Sequence, residues 1–330
     1  MNLPTTMRAL QQTSLCGPRD LRFVTDARVP VPRKGEALIR VAAAGVNFAD
    51  ISMSYGTFRN GPKPPYLAGF EAAGDVVAVS EGLTWPEVGA QVVGAGFGAF
   101  AEYAVLPAAA VIPVPEGWSA KEALGLMVNW PAAMAALKPL GLLAPGETVL
   151  IHAAAGATGQ AAVSLAKRYG ATVIAVASRS KHHVVRALGA DHTLDSHSAD
   201  LAVEVLNLTG GTGVDLVLES AGGTTFEASL AATRRVTGRV VVLGLAGGEA
   251  ALTNVDLVYR HQVHVIGLNL GVLIQSAPQI FGQLMGELAA LIAAGGITPA
   301  RPTVHALADG AQALTDLENR VTIGKLALVP

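Results

Sequence analysis

The residues of this chain best suited to hold a phosphate are Ala153-Ala154-Ala155-Gly156-Ala157-Thr158-Gly159, an A-x-x-G-x-x-G turn. A glycine at its fourth position lets the backbone approach an anion, and one at its seventh lets a helix pack closely on a strand. The following helix offers unpaired N–H groups at its positive end. Such a turn means little without its context. Here a β-branched and apolar run from Thr148 leads into it, and Ala162, Leu165, Ala166 and Tyr169 follow at helical spacing before a second apolar run. Ala153, Gly156, Ala157, Thr158 and Gly159 are therefore expected to carry a dinucleotide pyrophosphate.

The end of the second strand selects the dinucleotide. An NAD site places Asp or Glu there to hold the ribose hydroxyls. This chain has Ala177-Ser178-Arg179-Ser180-Lys181, two cations and two hydroxyls with no carboxylate. That chemistry suits a 2′-phosphate, because Arg forms paired hydrogen bonds and Lys adds a point charge. Ser178, Arg179 and Lys181 are thus expected at the phosphate, and NADPH is the expected cofactor.

Other chemistry finds less support. The single cysteine, Cys16, excludes an intrachain disulfide and any multi-cysteine zinc site, and the eight histidines show no metal spacing. His182-His183 reads as a helix surface beside the phosphate site. No nucleophile elbow supports Ser-His-Asp catalysis. With 15% charged residues and a net charge of −2, the chain offers no broad basic field for nucleic acid or an anionic membrane. Two uncharged stretches, Thr148 to Ala166 and His261 to Gly286, fail as membrane spans on content. The N-terminal MNLPTTMRALQQ lacks a signal-peptide core, and a cytoplasmic location is expected.

The elements that position these residues follow from pattern. From Met7 to about Pro115, short apolar runs are broken by Gly and Pro, which predicts a closed or partly closed β-barrel. A helical stretch over Ser119 to Leu137 leads into the nucleotide unit. Strands and helices then alternate, as a doubly wound parallel sheet requires: helices over Lys181 to Leu188 and Ser198 to Leu208, strands over Val214 to Glu219, Arg239 to Leu245 and Val263 to Leu268. A Thr224/Glu227 capping box opens the helix Thr224 to Ala232. Helices over Pro278 to Ala294 and Asp309 to Arg320 precede a last strand, Lys325 to Val329, that rejoins the first domain.

These features come together with Ala44-Gly45-Val46-Asn47-Phe48-Ala49-Asp50, Gly69-Phe70-Glu71-Ala72-Ala73-Gly74, Leu188-Gly189-Ala190-Asp191-His192, Gly213-Val214-Asp215 and Gly324-Lys325. Over nearly its whole length the chain resembles the zinc-free quinone oxidoreductase and zeta-crystallin-like branch of the medium-chain dehydrogenase/reductase superfamily. The resemblance implies an α/β fold, with a GroES-like β-barrel catalytic domain over residues 1–125 and 270–330 and a Rossmann NADPH-binding domain over residues 126–269. It also implies a cleft between them and a homodimer formed by edge strands. Cofactor contacts are further expected from Ser196, Gly244, Leu268, Asn269 and Lys325.

Zinc-dependent relatives carry Cys where this chain has Asn47 and His where it has Phe70, and an amide and a benzyl group are not zinc ligands. No metal is expected. Asn47 is expected to orient substrate or nicotinamide ribose as a neutral donor. The tyrosines that many members place near the nicotinamide fall on Ser52 and Phe58, so Tyr55 is the nearest candidate phenol. Ser52, Phe58 and Trp130 are expected to line the substrate pocket. Asp50 and Glu71 read as structural carboxylates.

The resulting expectation is hydride transfer from NADPH to a quinone or the conjugated C=C of an enone, whose oxyanion a few hydrogen bonds can stabilise. Two alternatives stay open: an enoyl-thioester reductase of polyketide or fatty-acid type, and a catalytically weak NADPH-binding structural protein. Metal independence is directly measurable. Activity should survive exhaustive chelation, and one zinc per purified chain by elemental analysis would refute the expectation.

Overall fold

Short apolar runs cut by Gly and Pro become antiparallel strands, whereas longer alanine-rich runs become a covered parallel sheet. The computed structural model describes residues 3–330. They divide into unit 1, residues 3–128 with 294–330, and unit 2, Asn129–Ala293.

Unit 1 begins with β1 (Thr6–Gln12) and β2 (Leu21–Arg28), then β3 (Glu36–Val46), α1 (Phe48–Ser54), β4 (Tyr66–Leu67), β5 (Glu71–Val79), β6 (Gln91–Ala95), β7 (Tyr103–Pro107) and β8 (Val111–Pro113). β1 lies between β2 and β4 in one sheet, and β3 pairs antiparallel with both β5 and β7. Ala37, Leu38, Ile39, Ala43 and Ala44 of β3 are all buried, which explains why its sequence is apolar almost throughout instead of alternating.

Unit 2 contains α2 (Asn129–Leu137), β9 (Thr148–Ile151), α3 (Ala157–Arg168), β10 (Thr172–Ala177), α4 (His182–Ala187), β11 (His192–Asp195), α5 (Leu201–Leu208) and β12 (Leu216–Glu219). It continues through α6 (Thr224–Ala232), β13 (Arg239–Val242), β14 (His264–Gly267), α7 (Leu270–Ser276) and α8 (Pro278–Ala293). The strands are parallel in the order β11-β10-β9-β12-β13-β14. The chain therefore runs outward from β9 to β11, crosses back to β12, and runs outward the other way. The carboxyl ends of β9 and β12 flank the switch point where ligands of such sheets bind. Leu150, Ile174, Val176, Val217 and Val240 fill the core beside this line.

The chain then returns to unit 1 as β15 (Thr303–Ala306), α9 (Gly310–Glu318) and β16 (Leu326–Val329). β16 pairs antiparallel with β3 and parallel with β15, so the last strand rejoins the first unit. The larger sheet of unit 1 runs β15-β16-β3-β5-β6-β8 as an open path, with β7 branching from β3. No closed barrel is formed by these ladders among the described residues, where the sequence pattern predicts a closed or partly closed one.

Other differences have local causes. The helix expected from Ser119 begins only at Asn129. Glu122 accepts from the Ser119 N–H at 2.8 Å, as at a helix start, but Gly125 has φ 96° and breaks the continuation. Thr224 caps nothing: Gly223 is the N-cap of α6, without a side-chain cap. The helix at 278–293 belongs to unit 2 and not to the catalytic segment 270–330, because it packs on α2 and α7 and its Glu287 accepts from the Tyr169 hydroxyl at 2.9 Å. Among the described residues, no helix is long and apolar enough to cross a membrane.

The β3–β5 ladder is irregular between Val41 and Ala43, and Gly74 faces Val41 there. A Cβ on Gly74 would run into the Arg40 carbonyl and lie 3.0 Å from the Ala42 nitrogen. Gly74→Ala should therefore destabilise the protein by about 1–3 kcal/mol, the range for overpacking. Urea unfolding measures this, and an unchanged midpoint would show that the two backbones can separate at no cost.

Candidate active site

In unit 2 the turn from β9 into α3 has the geometry its sequence calls for. Ala153 is exposed and sits at φ 47°, Gly156 is the N-cap of α3 without a side-chain cap, and the first intrahelical bond runs from Gln160 N to Gly156 O at 2.8 Å. The N–H groups of Ala157, Thr158 and Gly159 thus lie in the first turn, ahead of any helical acceptor. A Cβ on Gly159 would strike the Ala153 carbonyl and the Ala154 backbone, so only glycine lets the helix start this close to the strand. These residues fit an anion at the helix N-terminus. The Thr158 hydroxyl also accepts from Asn129 Nδ2 at 3.0 Å, which ties α3 to α2.

The basic tip follows β10. Arg179 is 84% exposed, with Nε 3.3 Å from Asp195 Oδ2, and Ser178 Oγ lies 3.5 Å from Ser196 Oγ. Burial lowers the pKa of Lys181. Asp195, the last residue of β11, carries no sequence signal that singles it out, yet it faces this tip. The His197 backbone N–H holds its pKa below the usual range, with further lowering from the His197 side chain and Arg179. It pairs with Arg179. Arg179, His182, Arg186, Asp195 and His197 line an open depression of about 460 Å³.

The remaining expected cofactor residues lie at the ends of β11, β13 and β14, and in unit 1. Gly244 follows β13, and a Cβ there would lie 2.6 Å from the Ser220 carbonyl. Leu268 continues the ladder through its N–H to Val242 O at 2.8 Å, and Asn269 caps α7 by accepting from Val272 N at 3.1 Å. Lys325, expected beside the cofactor, is buried in unit 1. It donates to Glu71 Oε2 at 2.5 Å and Asn47 Oδ1 at 2.7 Å.

That ammonium is the centre of a buried polar cluster. Glu71 Oε1 accepts the Gly125 N–H at 2.5 Å, while the Asn47 amide donates to Glu71 Oε2 at 3.1 Å and to Gly45 O at 3.2 Å. Both Asn47 donor positions thus have acceptors within unit 1. These bonds hold the side chain at the start of α1. Asp50, on the first turn of that helix, accepts from the Asn47 backbone N–H at 2.8 Å through Oδ2. Its Oδ1 is buried without a hydrogen-bond partner among the described residues. Burial pushes the Asp50 carboxyl up to about 7, and Glu71 adds to the rise against the pull of the Asn47 N–H and Lys325.

The expected phenol has partners within unit 1. Tyr55 is exposed at the C-cap of α1, where a hydrogen bond to Glu318 raises its pKa and its ring covers Gly17. A phenol so paired is a weaker acid than the one expected. Ser52 is half-buried, with its hydroxyl donating to its own helix at Phe48 O, 3.4 Å away. Phe58 packs against Phe70 with ring centres 6.4 Å apart, and Phe70 against Phe97 at 5.4 Å. Trp130 is half-buried in the first turn of α2 in unit 2. Asn47 and Phe70 are the positions of zinc ligands in the zinc-dependent relatives, and both are occupied by other packing.

A parallel-sheet unit with this turn, inserted in sequence between the two segments of an antiparallel unit, defines a dehydrogenase/reductase of the medium-chain class. Comparisons agree: residues 33–116 match the alcohol dehydrogenase GroES-like domain, and residues 157–289 match the zinc-binding dehydrogenase family. The rat synaptic vesicle membrane protein VAT-1 homolog is 31% identical over 320 residues, 91% of this chain and 78% of that protein. A phenolphthiocerol/phthiocerol polyketide synthase of Mycobacterium tuberculosis is 32% identical over 300 residues, 90% of this chain but 14% of that protein. Among solved structures, mycobacterial Rv1454c complexed with NADPH superposes with a TM-score of 0.91 at 33% identity, covering 98% of this chain and all of the other. Escherichia coli quinone oxidoreductase complexed with NADPH gives 0.90 at 27%, covering 98% of this chain and 100% of that one. The CurK enoyl reductase gives 0.88 at 29%, covering 98% and 99%. The chain belongs to the medium-chain dehydrogenase/reductase superfamily, in its quinone oxidoreductase and zeta-crystallin branch.

Two measurements probe the cluster in unit 1. Lys325→Met strands the Glu71 carboxylate and should cost about 3–5 kcal/mol of stability in denaturant unfolding; a loss under about 1 kcal/mol would mean that water repairs the site. Asp50 has the opposite sign to an ordinary paired carboxylate. Its folded value exceeds its unfolded one, so its contribution is full below the unfolded value and is lost as pH rises through about 7. Asp50→Asn should therefore gain stability over wild type, by roughly 2–4 kcal/mol, between about pH 5 and about pH 8. A difference independent of pH would place the proton elsewhere.

Proposed function

We propose that this chain is an NADPH-dependent, zinc-independent reductase that delivers a hydride to a quinone or to the conjugated C=C of a small enone. The observation that carries this reading is the chemistry at the two positions where zinc-dependent relatives hold their metal. The Asn47 amide is committed to Glu71 and Lys325, and the Phe70 ring packs between Phe58 and Phe97. Neither group offers a lone pair suited to zinc, so an isolated carbonyl would lack a Lewis acid at those positions. A conjugated acceptor needs less help, because the charge left by hydride attack spreads to an oxygen that a few donors and water can meet.

NADPH, when bound, supplies the hydride; the residues of the chain hold and orient it. The open N–H groups of Ala157, Thr158 and Gly159 would take the pyrophosphate, and Ser178, Arg179, Lys181 and Ser196 the 2′-phosphate. Gly244, Leu268 and Asn269 border the same edge of the sheet. Ser52, Phe58 and Trp130 are the residues assigned to the acceptor. Proton delivery falls to water, given how Tyr55 and Asn47 are engaged.

The similarity to a polyketide synthase segment and to the CurK enoyl reductase favours a second reading, an enoyl-thioester reductase. Turnover of a crotonyl thioester with no turnover of para-benzoquinone would select it. A homodimer is assigned to the open edge of β14, whose one ladder partner among the described residues is β13 and near which Val258 and Tyr259 are exposed. A cytoplasmic location suits the reductant.

Arg179→Ala tests the cofactor assignment. It should weaken NADPH binding about 10- to 100-fold, the worth of a charge-assisted hydrogen bond, and leave NADH binding nearly unchanged. Equal losses for both cofactors, or a wild-type preference for NADH, would defeat the assignment.

A further inference from the structure

Unit 2 contains a buried constellation that the proposed reaction does not use. His152 follows the last residue of β9, Glu219 ends β12, and Ser229 lies on α6; all three are buried. Ser229 Oγ lies 2.9 Å from His152 Nε2 and 2.5 Å from Glu219 Oε2. The other carboxylate oxygen, Glu219 Oε1, accepts the N–H groups of Ala221 at 2.6 Å and Gly222 at 2.9 Å. A serine, a histidine and a carboxylate at these distances have the composition of a nucleophilic triad. Their burial rules that out, since no substrate carbonyl can reach a hydroxyl with no exposed surface.

Proton counting gives the arrangement. The Ser229 hydroxyl has one proton, and three acceptors lie within reach: Glu219 Oε2, His152 Nε2 and the Thr225 carbonyl at 2.9 Å. The shortest contact, to a carboxylate that already accepts two backbone donors, takes it. His152 must then donate from Nε2 to the serine oxygen, which makes it the neutral tautomer protonated at Nε2. Each group in the chain His152, Ser229, Glu219, Ala221–Gly222 is matched donor to acceptor.

The location gives the arrangement its meaning. β9 and β12 are the adjacent strands at which the sheet order reverses, and their carboxyl ends flank the crevice where a ligand of such a sheet sits. His152 immediately precedes the glycine turn, and Glu219 immediately precedes the turn at 220–223. Gly222 and Gly223 of that turn have φ 72° and 56°. The Gly223 N–H bonds to Gly248 O at 3.1 Å, and Ser220 Oγ donates to the His152 carbonyl at 3.3 Å. We propose that His152, Ser229 and Glu219 are positioning residues that form the floor of the switch-point crevice and lock the glycine turn to the 220–223 turn in the geometry that receives the dinucleotide. This role rests on the proposed binding of NADPH by unit 2.

Protonation of His152 would break the match. A second ring proton adds charge where no water can solvate it, and Glu219 is the charged group that faces it. Burial holds the His152 pKa below its ordinary value, against the opposing pull of Glu219. The folded protein therefore keeps this histidine neutral while an unfolded chain would charge it, and the lock weakens as pH falls below the usual histidine range.

Fluorescence titration with NADPH, in parallel with melting of the cofactor-free protein, tests the inference in wild type, Glu219→Gln, Ser229→Ala and His152→Gln. Ser229→Ala should raise the Kd for NADPH by about 10-fold or more while kcat with para-benzoquinone at saturating NADPH falls less than about 3-fold, a split expected of a positioning residue. Glu219→Gln should act in the same direction. If it fails to fold, Ser229→Ala decides alone, since alanine is well tolerated in a helix. His152→Gln retains a donor without a titrating group, and should lose the part of the acid weakening that wild type shows between about pH 7 and about pH 5. Wild-type NADPH affinity in Ser229→Ala would overturn the inference, and so would wild-type pH dependence in His152→Gln. Failure of the wild type itself to bind NADPH would instead defeat the cofactor assignment.

Discussion

The structure of unit 1 depends on one buried ion pair. Glu71 and Lys325 meet at 2.5 Å where solvent scarcely reaches either, and a carboxylate in that setting must have its lone pairs met. Asn47 and the Gly125 N–H supply the remaining partners. Four separate segments are thereby fixed to one atom group: the end of β3 with the start of α1, the start of β5, the turn at 125, and the residue before β16. Removing any one would leave a buried charge or dipole without its match, so the segments must dock together.

Unit 2 is built under another constraint. Its sheet is parallel and covered, so the strands carry little polar information and the helices can approach closely only where side chains are small. Gly159 is such a point. The same closeness leaves the N-terminus of α3 bare, and thus packing and anion affinity arise from one residue choice. Three polar groups of this unit, His152, Glu219 and Asp195, stand at or just past the carboxyl ends of strands.

Much of this is legible in the sequence where spacing determines geometry. The A-x-x-G-x-x-G turn and the alternation that builds the sheet follow from spacing and periodicity, and the return of the last strand is what the resemblance implies. Contacts between residues far apart in sequence do not. Ser119 and Glu122 have the chemistry of a helix start, yet Gly125 redirects the chain, and Glu71 fixes the turn from 54 residues away. Thr224 and Glu227 match a capping box, but Gly223 occupies the cap. The motifs around Lys325 and Asn47 say which residues matter, not which way they turn, and both side chains face inward where a ligand-facing role is expected. Tyr55 stands at a plausible spacing, and its partner Glu318 lies on a helix no local pattern connects to it.

The pairing of Glu71 with Lys325 spans 254 residues, and the whole of unit 2 lies between them as a continuous segment. During translation at about 5–20 residues per second, Glu71 therefore waits roughly 10–50 s for its counter-ion. Residues 129–293 are complete before then and contain all six strands of their own sheet, so unit 2 can fold while β3 still lacks β16. In that interval the exposed carboxylate remains hydrated and the edge of β3 unpaired. The order of synthesis thus sets the order of assembly: the nucleotide unit first, and the unit that surrounds it in sequence only when the chain comes back.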